Sequence, residues 1–360
     1  MKKNKNLLGE DSGPLMADVA RRAGVAISTV SRALTNPGRV NEKTRAKISA
    51  AAEALGYTPN AMARNLRVGK SNIIMIILPG PLHYGASQII PQVLQAINQS
   101  LIQSGYNLMI ANLDRDETSE QHILNLAFGG SVRGAIILSS KLPEVGGRSL
   151  AEAGLPIVSL LLDMSEAAVP SVVTNDRSAM AEAARTLIQL GHRRFFYIAG
   201  PSDNYHDIER FGGVVDAFHE AGLDPASIIR SGGILSYQHG FEAGQQAIED
   251  FSALGVKPTA VIAECDDMAI PFISGVQALG WRIPEDLSVV SFDGSPVCKY
   301  CHPPLSTIEQ PVEEMGKAAV ANLMQQIDDA EKDASMRLVV PSRLILRRSV
   351  SAAPPVDLAS

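Results

Sequence analysis

The stretch DVARRAGVAISTVSRALTNPGRVNEKTRAKISAAAEALGY, residues 18–57, decides the fold of the N-terminal part of the chain. Its apolar positions recur at helical spacing, broken by turn residues. One helix is expected over about Met16–Ala23, stopped by Gly24, and a second over about Ser28–Leu34, before Asn36-Pro37-Gly38. A third starts after Asn41, a good N-cap, and runs to Leu55, with Gly56 as its stop. Two helices joined through Gly24-Val25 form a helix-turn-helix, with Val19, Ala20, Val25, Val30 and Leu34 placed to pack them together. In that layout the second helix enters the major groove of DNA and its first side chains meet base edges. Those side chains are Ile27, Ser28 and Arg32. Arginine bonds a guanine bidentately, serine donates or accepts, and isoleucine touches a thymine methyl. Thr29, Ser31, Asn41, Lys43, Thr44 and Arg45 are expected to face phosphates. The blander reading is three solvated helices with scattered charges. The glycine turn, the spacing and the charge of this segment outweigh it.

The formal net charge of −6 conceals a split. Residues 1–71 hold 13 Lys and Arg against 5 Asp and Glu, a net of +8, and the rest of the chain carries −14. A basic head on an acidic body reads as a polyanion-binding module joined to a domain with another partner. Apolar residues make up 46% and charged residues 19%, an ordinary globular composition. The longest apolar runs, such as Ile73–Leu78, are far shorter than the ~20 residues of a membrane span. The start, MKKNKNLLGEDSG, is basic but has no apolar signal core behind it. Three cysteines make no disulfide framework. The expectation is a cytoplasmic protein with no membrane partner.

Outward from the head, residues 1–14 read as a disordered tail, 15–58 as the helix-turn-helix domain, and 59–71 as a linker in which Asn60–Arg67 suits a short helix. At Asn72 the texture changes. Ile73–Leu78 is a β-branched run of the kind found in strands buried on both faces. Further strand candidates are Leu108–Ala111, Gly134–Leu138, Pro156–Leu160, Arg194–Ala199, Thr259–Ala263 and Leu287–Phe292. Between them lie helix candidates Ala86–Ser104, Ser119–Leu126, Ser178–Leu190, Glu209–Glu220, Gly240–Phe251 and Asp266–Leu279. Strand–helix alternation at this spacing means βαβ units and parallel sheets. The strands are too many for one doubly wound sheet. The body, 72–350, is therefore expected to be α/β with two lobes, the loop Ser165–Ser171 preceding the crossing between them, and 351–360 a flexible tail.

With these motifs in place, the chain resembles the lactose-repressor (LacI) family of bacterial transcription regulators. In the head the resemblance rests on Asp18-Val19-Ala20, Ala23-Gly24-Val25, Thr29-Val30-Ser31-Arg32, Thr44-Arg45, Leu55-Gly56-Tyr57, Pro59-Asn60 and Ala63-Arg64-Asn65-Leu66. In the body it rests on Leu190-Gly191-His192-Arg193-Arg194, Ala199-Gly200-Pro201, Asp266-x-Met268-Ala269, Ile283–Val290, Phe292-Asp293 and Pro304–Ile308. The resemblance covers roughly residues 15–347. It implies an all-α DNA-binding head with a hinge helix, followed by a two-lobed body like periplasmic sugar-binding proteins. Asn60, Ala63, Arg64 and Leu66 would form the hinge, with Leu66 wedged into the minor groove of operator DNA. Read without the resemblance, Leu66 is an ordinary packed leucine. A small effector would bind between the lobes, held by Arg210 and Asp293, with His83, Tyr84 and Ser87 on the first lobe and Asn204 and His206 on the loop before Arg210. The chain departs from the family pattern at helix starts, where Leu15 and Ala26 replace Ser or Thr, and at Cys265, where Asn is usual. It also departs at Leu235, where an aromatic often stacks on the ligand. Tyr84, Tyr237 and Trp281 are the alternative platforms.

The reading is a homodimeric repressor of double-stranded operator DNA controlled by a small effector, a sugar first and a nucleoside or purine second. Action as an activator or co-repressor-dependent repressor stays open, as does, more remotely, a sugar-binding protein without a DNA role. No catalytic motif, cofactor or metal site is expected. Cys298-Lys299-Tyr300-Cys301-His302 fits the short c-type haem pattern, but that attachment needs an exported chain. A thiol pair sensitive to oxidation is the other reading of these two cysteines.

Overall fold

The computed structural model describes residues 14–35, 37–58, 71–80, 89–113, 117–139, 141–202, 204–232, 240–328 and 335–355. The chain divides into two units at Ser71/Asn72. The hinge positions Asn60, Ala63, Arg64 and Leu66, the first-lobe positions His83, Tyr84 and Ser87, and the alternative platforms Leu235 and Tyr237 lie outside the described residues.

The first unit holds α1 (Met16–Ala23), α2 (Ile27–Thr35) and α3 (Glu42–Leu55). Val19, Ala20, Val30, Ala33, Ile48 and Ala51 form its small core, with Val25 and Leu34 packed against it. The α1–α2 turn depends on Gly24, which takes φ +69° and sends its N–H to the Ala20 carbonyl. That left-handed conformation strains any residue with a Cβ.

The second unit alternates strands and helices. Its first sheet is built from β1 (Ile73–Pro79), β2 (Asn107–Leu113), β3 (Gly134–Ile137), β6 (Ile157–Leu160), β7 (Ser171–Thr174) and β13 (Arg337–Val340). A small antiparallel hairpin, β4 (Glu144–Val145) and β5 (Arg148–Ser149), stands apart. The second sheet holds β8 (Phe195–Ala199), β9 (Ile229–Gly232), β10 (Ala260–Ala263), β11 (Ser288–Asp293), β12 (Ser306–Glu309) and β14 (Arg343–Ile345). The orders are β13-β7-β6-β3-β1-β2 and β14-β12-β11-β10-β8-β9. All pairings within these two sheets are parallel except β12 with β14. Buried on both faces, the central strands are continuous apolar runs: Ile74 to Leu78 and Phe195 to Ala199 are wholly inside.

The helices are α4 (Ile89–Gln103), α5 (Glu117–Phe128), α6 (Asp176–Gln189), α7 (Tyr205–Glu220), α8 (Gly240–Ala253), α9 (Asp266–Ala278) and α10 (Val312–Asp328). The chain crosses between lobes three times: from β7 to α6, from β12 to α10, and from β13 to β14. Helix α6 joins the second-lobe core through Ala179, Met180, Ala183 and Leu187, whereas α10 returns Met315, Ala319 and Leu323 to the first-lobe core. Two crossings are tied together, since the Ser342 N–H donates to Asn175 Oδ1 at 2.7 Å.

Two of the boundaries that differ from the sequence reading have a visible cause. Helix α7 starts one turn earlier than Glu209, because Asn204 Oδ1 accepts the His206 N–H and caps it. Asn204 and His206 are thus the cap and first turn of a helix rather than loop residues. The C-terminal segment is also anchored further than expected. Ser351 N–H donates to Ser288 Oγ, Ala353 N–H to the Leu190 carbonyl, and the Ser351 carbonyl meets His192 Nε2 at 3.1 Å. Residues 351–353 therefore belong to the folded body. His192 is buried and needs that carbonyl as a partner.

Candidate functional site

On the head, α2 presents Ile27, Ser28 and Arg32 to solvent, and Ile27 is 50% exposed. An apolar side chain left that open at the start of α2 takes no part in the core of the head. Thr29, Ser31, Thr44 and Arg45 are half-buried, while Lys43 is exposed. Asn41 caps α3 by accepting the Lys43 N–H at 2.9 Å. Leu15 supplies no cap of its own to α1. Instead Asp18 Oδ2 accepts the Leu15 N–H at 3.0 Å, so one acceptor is regained within the first turn.

In the body, the polar site gathers at the C-terminal ends of the second-sheet strands. The path β8-α7-β9 extends that sheet on one side and α8 carries the chain back to β10 on the other, so the strand order reverses between β8 and β10. Ligands of open α/β sheets bind in the crevice at such a reversal. In the first lobe the same reversal falls between β1 and β3.

Arg210, on α7, is the centre of the second-lobe site. Its Nε donates to Asp176 Oδ2 at 2.9 Å. Its Nη1 donates to the Glu264 carbonyl at 2.8 Å and to Glu264 Oε1 at 3.1 Å. Its Nη2 stands 3.6 Å from Asp293 Oδ1, and the guanidinium lies 3.7 Å over the Phe292 ring. His206 Nδ1 meets the same Asp176 oxygen at 2.9 Å. Gln310, just beyond β12, donates from Nε2 to Asp293 Oδ1 at 2.7 Å. Burial pushes the Asp176 carboxyl up, but Arg210, His206 and Thr174 together outweigh it and hold it well below the usual carboxylate range. Asp293 goes the other way. Burial raises it far above that range, Asp266 and Glu264 add to the effect, and Arg210 only partly offsets it.

Asp293 also takes φ +111°. A non-glycine residue in that region is strained, and such strain collects where a side chain is held for function. Four groups the sequence did not single out complete the site: Asp176, Glu264, Phe292 and Gln310. The only signal for Glu264 was position, directly after the apolar run of β10, and Gln310 follows the mixed strand β12 with no such signal.

Two further expectations are settled by placement. Trp281 packs its edge on Phe251 at 5.2 Å and lines a groove with Arg194, Pro258, Leu279 and Pro354 at the N-terminal ends of the strands. It is at the wrong end of the sheet to serve as a ligand platform. Cys298 and Cys301 are free thiols. Cys298 is wholly buried, and burial pushes its thiol well above the normal range, which leaves it poorly reactive. Among the described residues no group of three or more His, Cys, Asp or Glu is placed to hold a metal, and no helix is long and apolar enough to cross a membrane.

A helix-turn-helix head joined to a two-lobed body of parallel sheets, with a polar site at a strand-order reversal, defines a DNA-binding regulator of the periplasmic-binding-protein type. Residues 15–60 match the family described as "Bacterial regulatory proteins, lacI family", and residues 184–350 match the "Periplasmic binding protein-like domain". The chain is 32% identical over 347 residues to the HTH-type transcriptional repressor CytR of Escherichia coli (strain K12), covering 96% of this chain and 98% of that one. Among solved structures it is similar to the lac repressor dimer bound to operator and the anti-inducer ONPF, at 25% identity and TM-score 0.78 over 95% of this chain and 100% of that one. It is also similar to a transcriptional regulator CelR–cellobiose complex, at 27% identity and TM-score 0.68 over 93% and 99%. The chain belongs to the LacI family: it is a ligand-controlled transcriptional repressor, and its relatives are regulators rather than enzymes.

Proposed function

We propose that the protein is a cytoplasmic homodimer that represses transcription from a pseudo-palindromic operator and is controlled by a sugar bound between its lobes. Ile27, Ser28 and Arg32 read each half-site, Thr29, Ser31, Asn41, Lys43, Thr44 and Arg45 hold the phosphates, and Asn60, Ala63, Arg64 and Leu66 form the hinge. Arg210 and Asp293 anchor the effector, with His206 beside them and His83, Tyr84 and Ser87 approaching from the first lobe. Asn204, which caps α7, joins them on the second lobe. The observation that carries the effector reading is the strained Asp293 beside Arg210 at the reversal of the second sheet. The cellobiose in the CelR complex supports a sugar, and the lac repressor dimer on its operator supports the dimer. The exposed Ile110 on edge strand β2 and the exposed Ile102 on α4 offer a second copy an apolar first-lobe surface.

The effector is expected to change how the lobes close and so the DNA affinity of the dimer. A 100-fold shift needs only about 2.7 kcal/mol of differential binding. The test is fluorescence anisotropy with an operator selected by the full-length protein from random DNA, with and without mono- and disaccharides. Tight, sequence-selective binding that one sugar weakens is the expected result. Equal affinity for selected and random DNA overturns the operator reading, and indifference to every sugar overturns the effector class.

A further inference from the structure

Three acids of the cleft site share one cation. Arg210 is the cation shared by three carboxylates, with contacts of 2.9 Å to Asp176, 3.1 Å to Glu264 and 3.6 Å to Asp293. Glu264 is wholly buried. It follows β10 at the strand-order reversal, its N–H donates to the Ile198 carbonyl of β8 at 2.9 Å, and its carboxylate occupies the space opposite Gly200. A Cβ at Gly200 would stand 3.3 Å from the Glu264 Cδ, so the glutamate side chain packs closely against this glycine. Glu264 takes the Nη1 of Arg210 through both its side chain and its carbonyl, Asp176 takes Nε, and Phe292 covers one face of the guanidinium. Little of that cation is left to receive an anionic ligand. A second observation points the same way. Gln310 is 5% exposed, its Nε2 is committed to Asp293, and its Oε1 has no hydrogen-bond partner among the described residues. A buried acceptor of this kind calls for a donor on whatever occupies the site.

We infer that Glu264 makes the cleft selective for an uncharged or cationic ligand rich in hydroxyl or amino donors and makes it reject phosphorylated and carboxylated ones. This rests on the reading of the same cleft as the effector site. Sugar phosphates, uronic acids and nucleotides bring negative charge to a site in which Asp176 and Glu264 already take the donors of Arg210, in surroundings that screen poorly. Neutral sugars, amino sugars and nucleosides offer the donors that Asp293 and Gln310 accept.

The experiment is isothermal titration of the full-length protein with matched probes: galactose, galactosamine, galacturonate and galactose 1-phosphate in one series, glucose, glucosamine, glucuronate and glucose 1-phosphate in a second, and cytidine with cytidine monophosphate in a third. In at least one series the neutral or amino member binds, and its anionic partners bind about 100-fold or more weakly, a gap of about 2.7 kcal/mol. Glu264→Gln narrows that gap about tenfold. Glu264→Asp, which keeps the charge, preserves it and serves as the check where the glutamine variant folds poorly. An anionic probe that binds the wild type more tightly than its neutral partner, and loses binding in Asp293→Ala, overturns the charge assignment while leaving the cleft in place. Binding that persists unchanged in Asp293→Ala overturns the cleft reading itself. Binding by no member of any series overturns the ligand class.

Discussion

Arg210 and Asp176 meet through a 2.9 Å bond from Nε to Oδ2 at the point where the chain passes from the first lobe to the second. Asp176 opens α6 directly after β7, so Arg210 and the crossing between lobes share one carboxylate. The same oxygen accepts from His206, and Thr174 of β7 donates to the other.

Asp176→Asn takes the Nε-bonded carboxylate from the buried Arg210, which keeps Glu264 on Nη1. Breaking one half of a buried ion pair is expected to cost about 3–5 kcal/mol. The wild-type carboxyl is held below its ordinary value of 3.8, so its stabilisation is present above that pH and lost as the pH falls below it. Urea denaturation from pH 7 down to pH 3 should show a steeper acid loss in the wild type than in the variant. Parallel curves rule out the pairing as a source of stability.

Arg32→Ala is expected to relax base preference at one position of each half-site, at about 1–3 kcal/mol. Affinities for a set of single-base operator variants check it. A loss of the same size on operator and on random DNA would mean that Arg32 contacts phosphate and reads no base.

Asp293→Ala is expected to abolish the response to effector while operator binding by the free protein is kept. The readout is operator anisotropy across an effector titration. A variant that still releases DNA at the wild-type effector concentration removes Asp293 from the site.

Two buried groups give opposite pH dependences near neutrality. Burial pushes Asp207 up to about 6, Glu264 adds to this, and Arg230 only partly offsets it. A carboxyl raised on folding binds more protons in the native state, so stability should rise as the pH falls from about 7 towards 4, and Asp207→Asn should flatten that rise. His192 is lowered from 6.5, chiefly by burial. Its stabilisation is present above that value and lost as the pH falls through it, and His192→Gln should remove this loss. Melting temperatures of both variants and the wild type from pH 8 to pH 4.5 separate the two, and unchanged profiles refute both assignments.

Leu15 stands at the N-cap of α1 with no side-chain acceptor. Leu15→Ser is expected to stabilise the head by about 0.5–1 kcal/mol. Amide exchange protection at Val19 and Ala20 is the local readout. Protection equal to wild type would mean that the Asp18 bond to the Leu15 N–H already satisfies the helix end.

The helix-turn-helix was legible because its determinants are local. Gly24, the Asn41 cap and the spacing of Val19, Ala20 and Val30 act within a few residues of one another, and three helices of this length admit few other packings. The alternation of apolar strand runs with amphipathic helices likewise specified parallel sheets, since only helical crossovers connect such strands. Arg210 and Asp293 were reached through family motifs, not through periodicity.

The composition of the site was decided by tertiary structure. Glu264 reads in the sequence as one more acid, and acids are usually solvated. It is buried because Arg210, far away in the chain, folds onto it, and its side chain packs closely against Gly200. Asn204 read as a loop residue and caps a helix, because α7 begins a turn before its apolar pattern does. Trp281 read as a platform and lies at the far end of the strands. Local propensity and periodicity specify elements, whereas the charge of a buried site depends on which distant side chains the fold brings together, and no window along the chain contains that information.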